Sequence, residues 1–286
     1  MTPPCSSATM TSPRISVIVV TYNEEKQIER CLRSVTDWAD EIIVLDSYSR
    51  DRTLELAQKY TEKVFQFEYP GYSKQVERGI DRAGSEWIFI LDADEEVSAE
   101  LASAIQAEIR DPAAKDGYSL NRKVRAFGKW IEHCGWFPDW QFRLFRKDAY
   151  VAEHQEVHGA FTTRGSKGFL AGLLYHYTYP TISSYLEKMN DYTSLHVSNK
   201  LKENPGMNIH WHKIVLSPLS EFLKMFLVKK GYKDGMQGFL LSVFSSMYTL
   251  ALYAKVWEYR HRQKEGKGIL PPITNVELSQ LRSKYS

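Results

Sequence analysis

Residues 84–96 read Gly-Ser-Glu-Trp-Ile-Phe-Ile-Leu-Asp-Ala-Asp-Glu-Glu, and this stretch decides the fold. The unbroken apolar run from Trp87 to Leu91 predicts a strand that is buried on both faces, as strands of parallel sheets are. Four acids follow it, and in open α/β folds ligands bind beyond the carboxyl ends of the strands. Asp92 and Asp94 therefore predict a site for one divalent cation, Mg²⁺ or Mn²⁺. The alternative is a solvated turn whose acids cap the following helix.

The chain before this stretch alternates between strands and helices with short links. Such alternation predicts right-handed βαβ units and a parallel sheet. The predicted strands are Ile15–Thr21, Glu41–Asp46, Val64–Phe67 and Trp87–Leu91. Because the carboxyl ends of parallel strands share one edge, three polar segments should meet there: Thr21-Tyr22-Asn23-Glu24, Asp46-Ser47 and Asp92-Ala93-Asp94.

The pattern changes after Asp111-Pro112. Residues 116–180 read as short strands and loops, and residues 181–265 read as helical, with helices predicted over Ile182–Lys202, Leu219–Lys230 and Met236–His261. Residues 1–13 read as a disordered lead-in and residues 266–286 as a polar tail. The uncharged stretch Gly235–Ala254 reaches the length of a membrane span, but polar residues dilute it. The sequence leaves three alternatives for this stretch: a membrane-spanning helix, a buried helix or an interfacial helix.

Composition excludes several classes of protein. The chain has 286 residues, of which 43% are hydrophobic and 25% charged, as is usual for a folded soluble protein. Its net charge of +2 gives no argument for a nucleic-acid partner. Three cysteines, Cys5, Cys31 and Cys134, are too widely spaced for a zinc site or a disulfide framework. With no signal peptide at the N-terminus, we expect a cytoplasmic protein.

The predicted edge of the sheet contains the parts that a nucleoside diphosphate needs. Tyr22 offers an aromatic face, and the carboxylates offer acceptors for ribose hydroxyls. The chain has neither a Walker A sequence nor a G-x-G-x-x-G after its first strand, so the usual glycine-rich phosphate loops are absent from the sequence. A metal ion on Asp94 is then the simplest way to balance the charge of a diphosphate.

Three segments in this order resemble the family 2 inverting glycosyltransferases: Ile15-Ser-Val-Ile-Val-Val-Thr-Tyr-Asn-Glu24, Val44-Leu-Asp-Ser-Tyr-Ser-Arg-Asp-Arg-Thr53 and Leu91-Asp-Ala-Asp-Glu95. The resemblance implies an α/β fold of the GT-A (Rossmann-like) type with a mostly helical C-terminal extension. Residues 14–115 would form its nucleotide-sugar-binding half, and residues 116–180 the acceptor side of the same domain. Later segments resemble the bacterial lipopolysaccharide core β-glucosyltransferase branch: Asp139-Trp-Gln-Phe-Arg-Leu-Phe-Arg146, Val157-His158 and Gly231-Tyr-Lys-Asp-Gly235.

The same resemblance implies roles for single residues. The uracil and ribose pocket would be lined by Thr21, Tyr22, Asn23 and Glu24. Asp46, with Ser47 beside it, would contact the base or ribose, and Gln75 would face the donor. Asp92, next to Ala93, would bond the ribose or reach the metal through a water. Asp94 would coordinate the metal, joined by His158. Relatives usually have an acid after that histidine, whereas this chain has Gly159, so a role for that neighbour is in doubt.

An inverting transfer needs one general base on the acceptor side. Asp139 is the predicted base because it lies among aromatic residues, in Trp136-Phe-Pro-Asp-Trp140, that could stack on a sugar ring. A loop aspartate that only caps a turn is the alternative, with Glu132, Glu153 and Glu156 in reserve. His154 and His176 are predicted to be structural. Arg143 and Arg146 could clamp a phosphate or form a solvated strand face.

The sequence thus predicts a metal-dependent inverting hexosyltransferase that moves glucose from UDP-glucose onto a hydroxyl of a lipopolysaccharide-core or other cell-envelope saccharide, in a lipid-linked acceptor. Its basic and aromatic C-terminal helices predict peripheral attachment to the inner face of the cell membrane. Transfer onto a peptide side chain and non-catalytic binding of a nucleotide sugar are the alternatives. A homodimer through the C-terminal helices is left open.

Overall fold

The computed structural model describes residues 14–153, 160–204 and 206–264. The strands are β1 (Ile15–Thr21), β2 (Glu41–Asp46), β3 (Val64–Gln66), β4 (Trp87–Asp92), β5 (Glu95–Val97), β6 (Gly117–Ala126), β7 (Lys129–Trp130), β8 (Asp139–Arg146), β9 (Tyr150–Glu153), β10 (Ala160–Thr163) and β11 (Lys167–Tyr179). The helices are α1 (Ile28–Thr36), α2 (Thr53–Ala57), α3 (Tyr72–Arg82), α4 (Ala99–Arg110), α5 (Ile182–Glu203), α6 (Trp211–Leu223) and α7 (Met236–Lys264).

The main sheet is mixed, in the order β3-β2-β1-β4-β8-β6-β11-β5, with β7 paired to β6. Strands β3, β2, β1 and β4 are parallel, as the strand–helix alternation predicts. The order then changes, because β8 runs antiparallel to β4 and β6 antiparallel to β8. Strand β11 lies parallel to β6, and the short β5 pairs antiparallel with β11. Strands of the segment 116–180 therefore continue the sheet that the N-terminal segment begins.

Both faces of the parallel half are covered by helices. Alternate residues of β1 point to opposite faces, so Val17 and Val19 join a core cluster with α1 and α4, whereas Ile18 and Val20 join a second cluster with α3. Helix α3 approaches β1 closely at Gly79, where a Cβ atom would lie 2.5 Å from Cγ2 of Ile18. Burial on both faces explains why these strands are continuous apolar runs.

The C-terminal helices form a separate layer with its own apolar cluster. Helix α7 packs against α5 and α6, and its residues Leu241 and Phe244 are buried with Ile131 and Met225. The segment Met236–Gln263 is long and apolar enough to cross a membrane by length and composition, and 28% of its most apolar window is buried within the protein.

Helix α6 begins at Trp211, so the predicted start at Leu219 was wrong. Pro218 lies inside the helix, where a proline normally ends or kinks it because the ring removes a hydrogen bond. The helix continues into a π-helical turn at Lys224–Val228.

Candidate active site

The three polar strand ends meet at one edge of the sheet, as predicted. Thr21 is the register partner of Asp46, and Val20 is that of Asp92. The Ser47 N–H donates to the Thr21 carbonyl at 3.0 Å, and the Ala93 N–H donates to the Val20 carbonyl at 3.2 Å. Ala93 itself is buried. The carboxyl ends of β1, β2 and β4 are thus joined into one surface.

The loops after β1 and β2 hold each other through side chain to backbone hydrogen bonds. The Asn23 N–H donates to Oγ of Ser49 at 2.8 Å, and the Arg50 N–H donates to Oδ1 of Asn23 at 2.8 Å. The Glu24 N–H donates to Oγ1 of Thr53 at 2.7 Å. Asn23 adopts a left-handed conformation with φ of 54°. Such a conformation in a non-glycine residue is costly and is typical of functional loops.

Asp46 is buried, and its carboxylate is fully engaged. Its Oδ2 accepts hydrogen bonds from the Ser49 N–H at 3.0 Å and from Nε2 of Gln66 at 2.9 Å, while its Oδ1 accepts from the Ser49 hydroxyl. Asp46 therefore orders the loop after β2. Tyr22, at the end of β1, is half-buried beside this loop pair.

Three polar side chains from the predicted donor pocket are buried with an atom that has no hydrogen-bond partner among the described residues. These atoms are Oγ1 of Thr21, Oγ of Ser47 and Nε2 of Gln75. Gln75 lies on α3, and its other amide atom, Oε1, accepts from Arg78 at 3.1 Å. Buried polar groups without partners are rare in folded proteins, so each is a group that a ligand or water should satisfy.

Asp92 is held in a buried network. One carboxylate oxygen accepts from the Tyr72 hydroxyl at 2.6 Å, and the other accepts from Nη2 of Arg143 at 2.6 Å. Arg143 also contacts the fully buried Glu95 at 3.2 Å. Burial would raise the pKa of Asp92, but the Arg143 charge lowers it below its usual value. Arg143 is buried, so the solvated-face interpretation of this residue was wrong.

Asp94 lies beside a histidine and a half-buried lysine. Its Oδ2 is 3.0 Å from Nε2 of His176 on β11. Burial opposes ionisation of Asp94, but His176, Lys188 and Arg122 together hold its pKa well below the usual value. Lys188, on α5, donates to Oγ1 of Thr178 at 3.1 Å. Burial lowers the pKa of Lys188, and the Asp94 and Glu24 carboxylates partly offset that effect.

The surroundings of Glu24 favour its protonated form, whereas those of Asp94 favour the ionised form. Burial and the negative charge of Asp94 raise the pKa of Glu24 to about 8. The edge therefore holds one carboxylate that is kept ionised and one that is kept partly protonated near neutral pH. Perturbed carboxylates side by side are typical of functional sites.

Asp139, at the start of β8, is joined to this cluster through Arg122. Nε of Arg122 donates to Oδ2 of Asp139 at 2.9 Å, and Nη1 of Arg122 lies 3.4 Å from Oε1 of Glu95. Nε2 of Gln141 donates to the other oxygen of Asp139 at 2.7 Å. The side chain is 29% exposed, so it remains accessible from solvent.

The aromatic residues around Asp139 have different neighbours. Trp140 is 45% exposed and packs on Phe169, with 4.8 Å between ring centroids. Trp130 packs on Tyr175, and Trp136 packs on Tyr179. Arg146 lies over the ring of Trp87 at 4.6 Å. Trp140 is therefore the exposed aromatic nearest in sequence to Asp139.

His158, the second predicted metal ligand, lies outside the described residues. The histidine beside Asp94 is His176, which the sequence analysis treated as structural. Sequence reasoning also assigned no role to Tyr72 or Lys188, and it left Arg143 ambiguous. No local motif marks these residues. The sequence feature that could have pointed to them is a polar residue within an otherwise apolar strand or helix.

The donor set around Asp94 fits a divalent cation. Mn²⁺ accepts both carboxylate and imidazole ligands, and Mg²⁺ or Mn²⁺ in such sites keeps waters and takes the remaining oxygens from substrate phosphates. Asp94 and His176 are close enough to serve one ion, and Nδ1 of His176 is buried without a hydrogen-bond partner in the described part of the chain. Within that part no group of three or more His, Cys, Asp or Glu residues could hold a metal. Two protein ligands plus a diphosphate are the arrangement these residues allow.

A polar surface at the carboxyl edge of a parallel sheet, with a D-x-D aspartate pair, is the place where open α/β folds bind their ligands. The family model of glycosyl transferase family 2 matches residues 16–166. The chain belongs to this family and is a glycosyltransferase, as the sequence motifs predicted. The predicted GT-A fold with a helical C-terminal extension is likewise confirmed.

Individual relatives extend the similarity beyond the matched domain. The lipopolysaccharide core biosynthesis glycosyltransferase LpsC of Rhizobium meliloti is 25% identical over 263 residues, which cover 87% of this chain and 94% of LpsC. An uncharacterized glycosyltransferase of Rickettsia typhi is 27% identical over 86% of this chain and 87% of its own length. Among solved structures, Staphylococcus aureus TarS in complex with UDP-GlcNAc aligns over 95% of this chain and 91% of the TarS chain, with 17% identity and a TM-score of 0.46.

Proposed function

We propose that this protein is a metal-dependent inverting glycosyltransferase that moves glucose from UDP-glucose onto a hydroxyl of a lipid-linked saccharide of the lipopolysaccharide core or cell envelope. The observation that carries the proposal is the pairing of Asp94 with His176 at the edge where β1, β2 and β4 end. Family membership supports the reaction class, and the similarity to LpsC supports the class of acceptor.

In this proposal the donor lies along the unsatisfied polar atoms of the sheet edge. Thr21, Ser47 and Gln75 would hydrogen-bond the nucleotide, with Tyr22, Asn23, Glu24 and Asp46 shaping its pocket. Asp92, fixed by Tyr72 and Arg143, would bond the ribose next to Ala93. Asp94 and His176 would hold the cation, with His158 as a further predicted ligand. Bound there, Mg²⁺ or Mn²⁺ would neutralise the negative charge of the leaving diphosphate.

The acceptor side needs a group that removes the proton of the attacking hydroxyl. Asp139 is the proposed base, since its carboxylate accepts hydrogen bonds and is 29% exposed. The acceptor oxygen would bond to the anomeric carbon, the bond from that carbon to the diphosphate would break, and the proton would move to Asp139. Lys188, whose positively charged side chain is close to Asp94, would add positive charge on the donor side.

The experiment that tests this proposal measures nucleotide release from UDP-, GDP- and ADP-sugars with Mn²⁺, with Mg²⁺ and with chelator. We expect slow, metal-dependent hydrolysis of one UDP-sugar, and Asp94→Asn should lower it by at least about a hundredfold because it removes a charged ligand. Glu62→Gln, an exposed carboxylate change just before β3, is the matched control and should retain the wild-type rate.

Asp139→Asn tests the acceptor half separately. This variant should bind the donor as wild type does but lose transfer to an added saccharide acceptor. Transfer at the wild-type rate by Asp139→Asn would reject the base assignment. Tight nucleotide binding without turnover of any donor, with acceptor present, would favour the non-catalytic binding protein instead.

The proposal includes a cytoplasmic protein attached peripherally to the inner face of the membrane. Its support is the basic and aromatic segment around the end of α6, where Phe222, Phe226 and Phe239 pack together beside several lysines. A lipid-linked acceptor would be reached from such a position.

A further inference from the structure

Helix α6 carries an apolar face that is exposed in the part of the chain that the structure describes. Large apolar side chains recur every four residues along α6 and its π-helical turn, which places them on one side of the helix. They are Trp211, Val215, Leu219, Leu223 and Leu227, and they are between 43% and 76% exposed. We call these five residues the α6 face. A continuous exposed apolar surface of this kind marks an interaction site.

Helix α6 is attached to the protein through residues other than the five of the α6 face. Pro218 and Met225 are buried, and the Ser246 hydroxyl of α7 donates to the Pro218 carbonyl at 2.8 Å. Helix α6 therefore does not depend on the α6 face for its attachment to α7. Attachment to α7 therefore does not explain why the α6 face is apolar.

The charges around the α6 face are almost all positive. Between residues 211 and 240 the sequence has five lysines, Lys213, Lys224, Lys229, Lys230 and Lys233, all of them exposed. It has two acids: Glu221 lies 3.3 Å from Lys224, and Asp234 is buried and accepts from the backbone. This charge pattern fits a negatively charged surface and opposes a second copy of the same face.

We infer that the α6 face is the surface by which this protein docks on a bilayer containing anionic phospholipids. Apolar side chains would enter the boundary between headgroups and acyl chains, with the lysines at the headgroups. Aromatic residues are enriched at membrane interfaces, and Trp211 and Tyr232 lie exposed at the two ends of this region. The inference rests on the proposed function, because it specifies how a lipid-linked acceptor is reached.

The position of the α6 face relative to the active site supports this role. Helix α6 packs on α7, and α7 packs on α5. Helix α5 carries Lys188, whose charge acts on Asp94. The docking surface is therefore connected through α7 and α5 to the lysine whose charge acts on Asp94, and this packing would hold the proposed site at a fixed place relative to the bilayer.

Co-sedimentation with vesicles tests the inference on the full chain. Wild type should sediment with vesicles of phosphatidylglycerol and phosphatidylcholine, less so at high salt, and little with phosphatidylcholine alone. Leu219→Glu, and the double variant Lys229→Glu with Lys230→Glu, should each lower the bound fraction at least about tenfold. Arg110→Glu reverses a charge at the exposed end of α4, away from the α6 face in the sequence; it is the control and should bind as wild type does.

Equal vesicle binding by wild type and both variants would overturn the inference. So would a dimer in light scattering that Leu219→Glu converts to a monomer without a change in lipid binding, because the α6 face would then be a contact between copies. Thermal midpoints equal to wild type would show that the variants are folded. Hydrolysis of UDP-sugar in solution separates the two proposals. Wild type that hydrolyses a UDP-sugar but does not bind vesicles rejects docking alone, and wild type that binds vesicles but hydrolyses no donor rejects the enzymatic proposal alone.

Discussion

Single residues at the sheet edge differ in charge state according to their immediate partners. Asp94 is kept ionised by His176, Lys188 and Arg122, and Asp92 is kept ionised by Arg143. Glu24 lacks such a dominant cation, and burial with the Asp94 charge raises its pKa to about 8. Carboxylates within one site thus differ in charge state, because burial raises their pKa and neighbouring cations lower it.

Glu24→Gln should change the pH dependence of stability in the metal-free protein. Because the pKa of Glu24 is raised on folding, the native state holds its proton more tightly, and stability is lost as pH rises from about 4.5 to about 8. The neutral variant lacks this loss, so relative to wild type it should gain on the order of 1–3 kcal/mol between pH 5 and pH 8.5, after allowance for solvent screening. Urea unfolding at both pH values measures it.

A difference between Glu24→Gln and wild type that stays constant from pH 5 to pH 8.5 would contradict this electrostatic assignment. Glu62→Gln again provides the comparison, since that carboxylate is exposed just before β3. Its stability relative to wild type should not depend on pH in this range.

Residues of the site divide into those that local sequence predicts and those that it does not. Asp92 and Asp94 follow from a buried strand that ends in a D-x-D pair. The partner of Asp94, His176, is 82 residues away, and the partner of Asp92, Arg143, is 51 residues away. These contacts form because β8 joins the sheet antiparallel to β4 and β11 joins it through β6. The order of the strands cannot be predicted from any one segment of the sequence.

At the scale of elements, the segment Gly231–Asp234 is a structural clasp between α7 and the loop before β8. The buried Asp234 carboxylate accepts from the His133 N–H at 2.8 Å and lies 3.1 Å from Nδ1 of His133. A Cβ atom at Gly238 would collide with the Gly231 carbonyl oxygen. The Gly231-Tyr-Lys-Asp-Gly235 pattern, which marked a family resemblance in the sequence, has this packing as its physical basis.

Asp234→Ala should destabilise the protein by about 1–3 kcal/mol, because it leaves partly buried backbone donors at residues 132 and 133 without this acceptor. Thermal and urea unfolding measure the change. Asp148→Ala, an exposed aspartate in the turn after β8, is the matched control and should stay within about 0.5 kcal/mol of wild type. Equal stability of the two variants would show that the clasp contributes nothing.

Helices and strands could be predicted where the buried residues form a continuous run. The prediction failed where tertiary contacts override local preference. The four parallel strands were evident from apolar runs. Strand β5 was not, because Glu95–Val97 reads as an acidic turn and is a strand only through its pairing with β11. The start of α6 was missed because Pro218 sits inside a helix that packing on α7 stabilises.

At the scale of the whole molecule, the chain combines a parallel N-terminal half of the sheet, a mixed continuation of that sheet and a helical layer. Arg122 links the two parts of the sheet, since it contacts both Asp139 and Glu95. Lys188 links the helical layer to Asp94. The strand–helix alternation and the C-terminal helices could be predicted from the sequence, but the mutual placement of the parts depends on long-range pairing that a single sequence does not reveal.

The central claim is that one site binds a nucleoside diphosphate and a divalent cation together. Calorimetric titration of UDP, with and without Mn²⁺, tests it most directly. Two ligands that bind together and contact each other raise each other's affinity by the same factor. We predict that Mn²⁺ tightens UDP binding by about 5- to 150-fold in wild type and in Glu62→Gln, and that Asp94→Asn abolishes this coupling. UDP affinity that does not change with Mn²⁺, or coupling that survives in Asp94→Asn, would contradict the account.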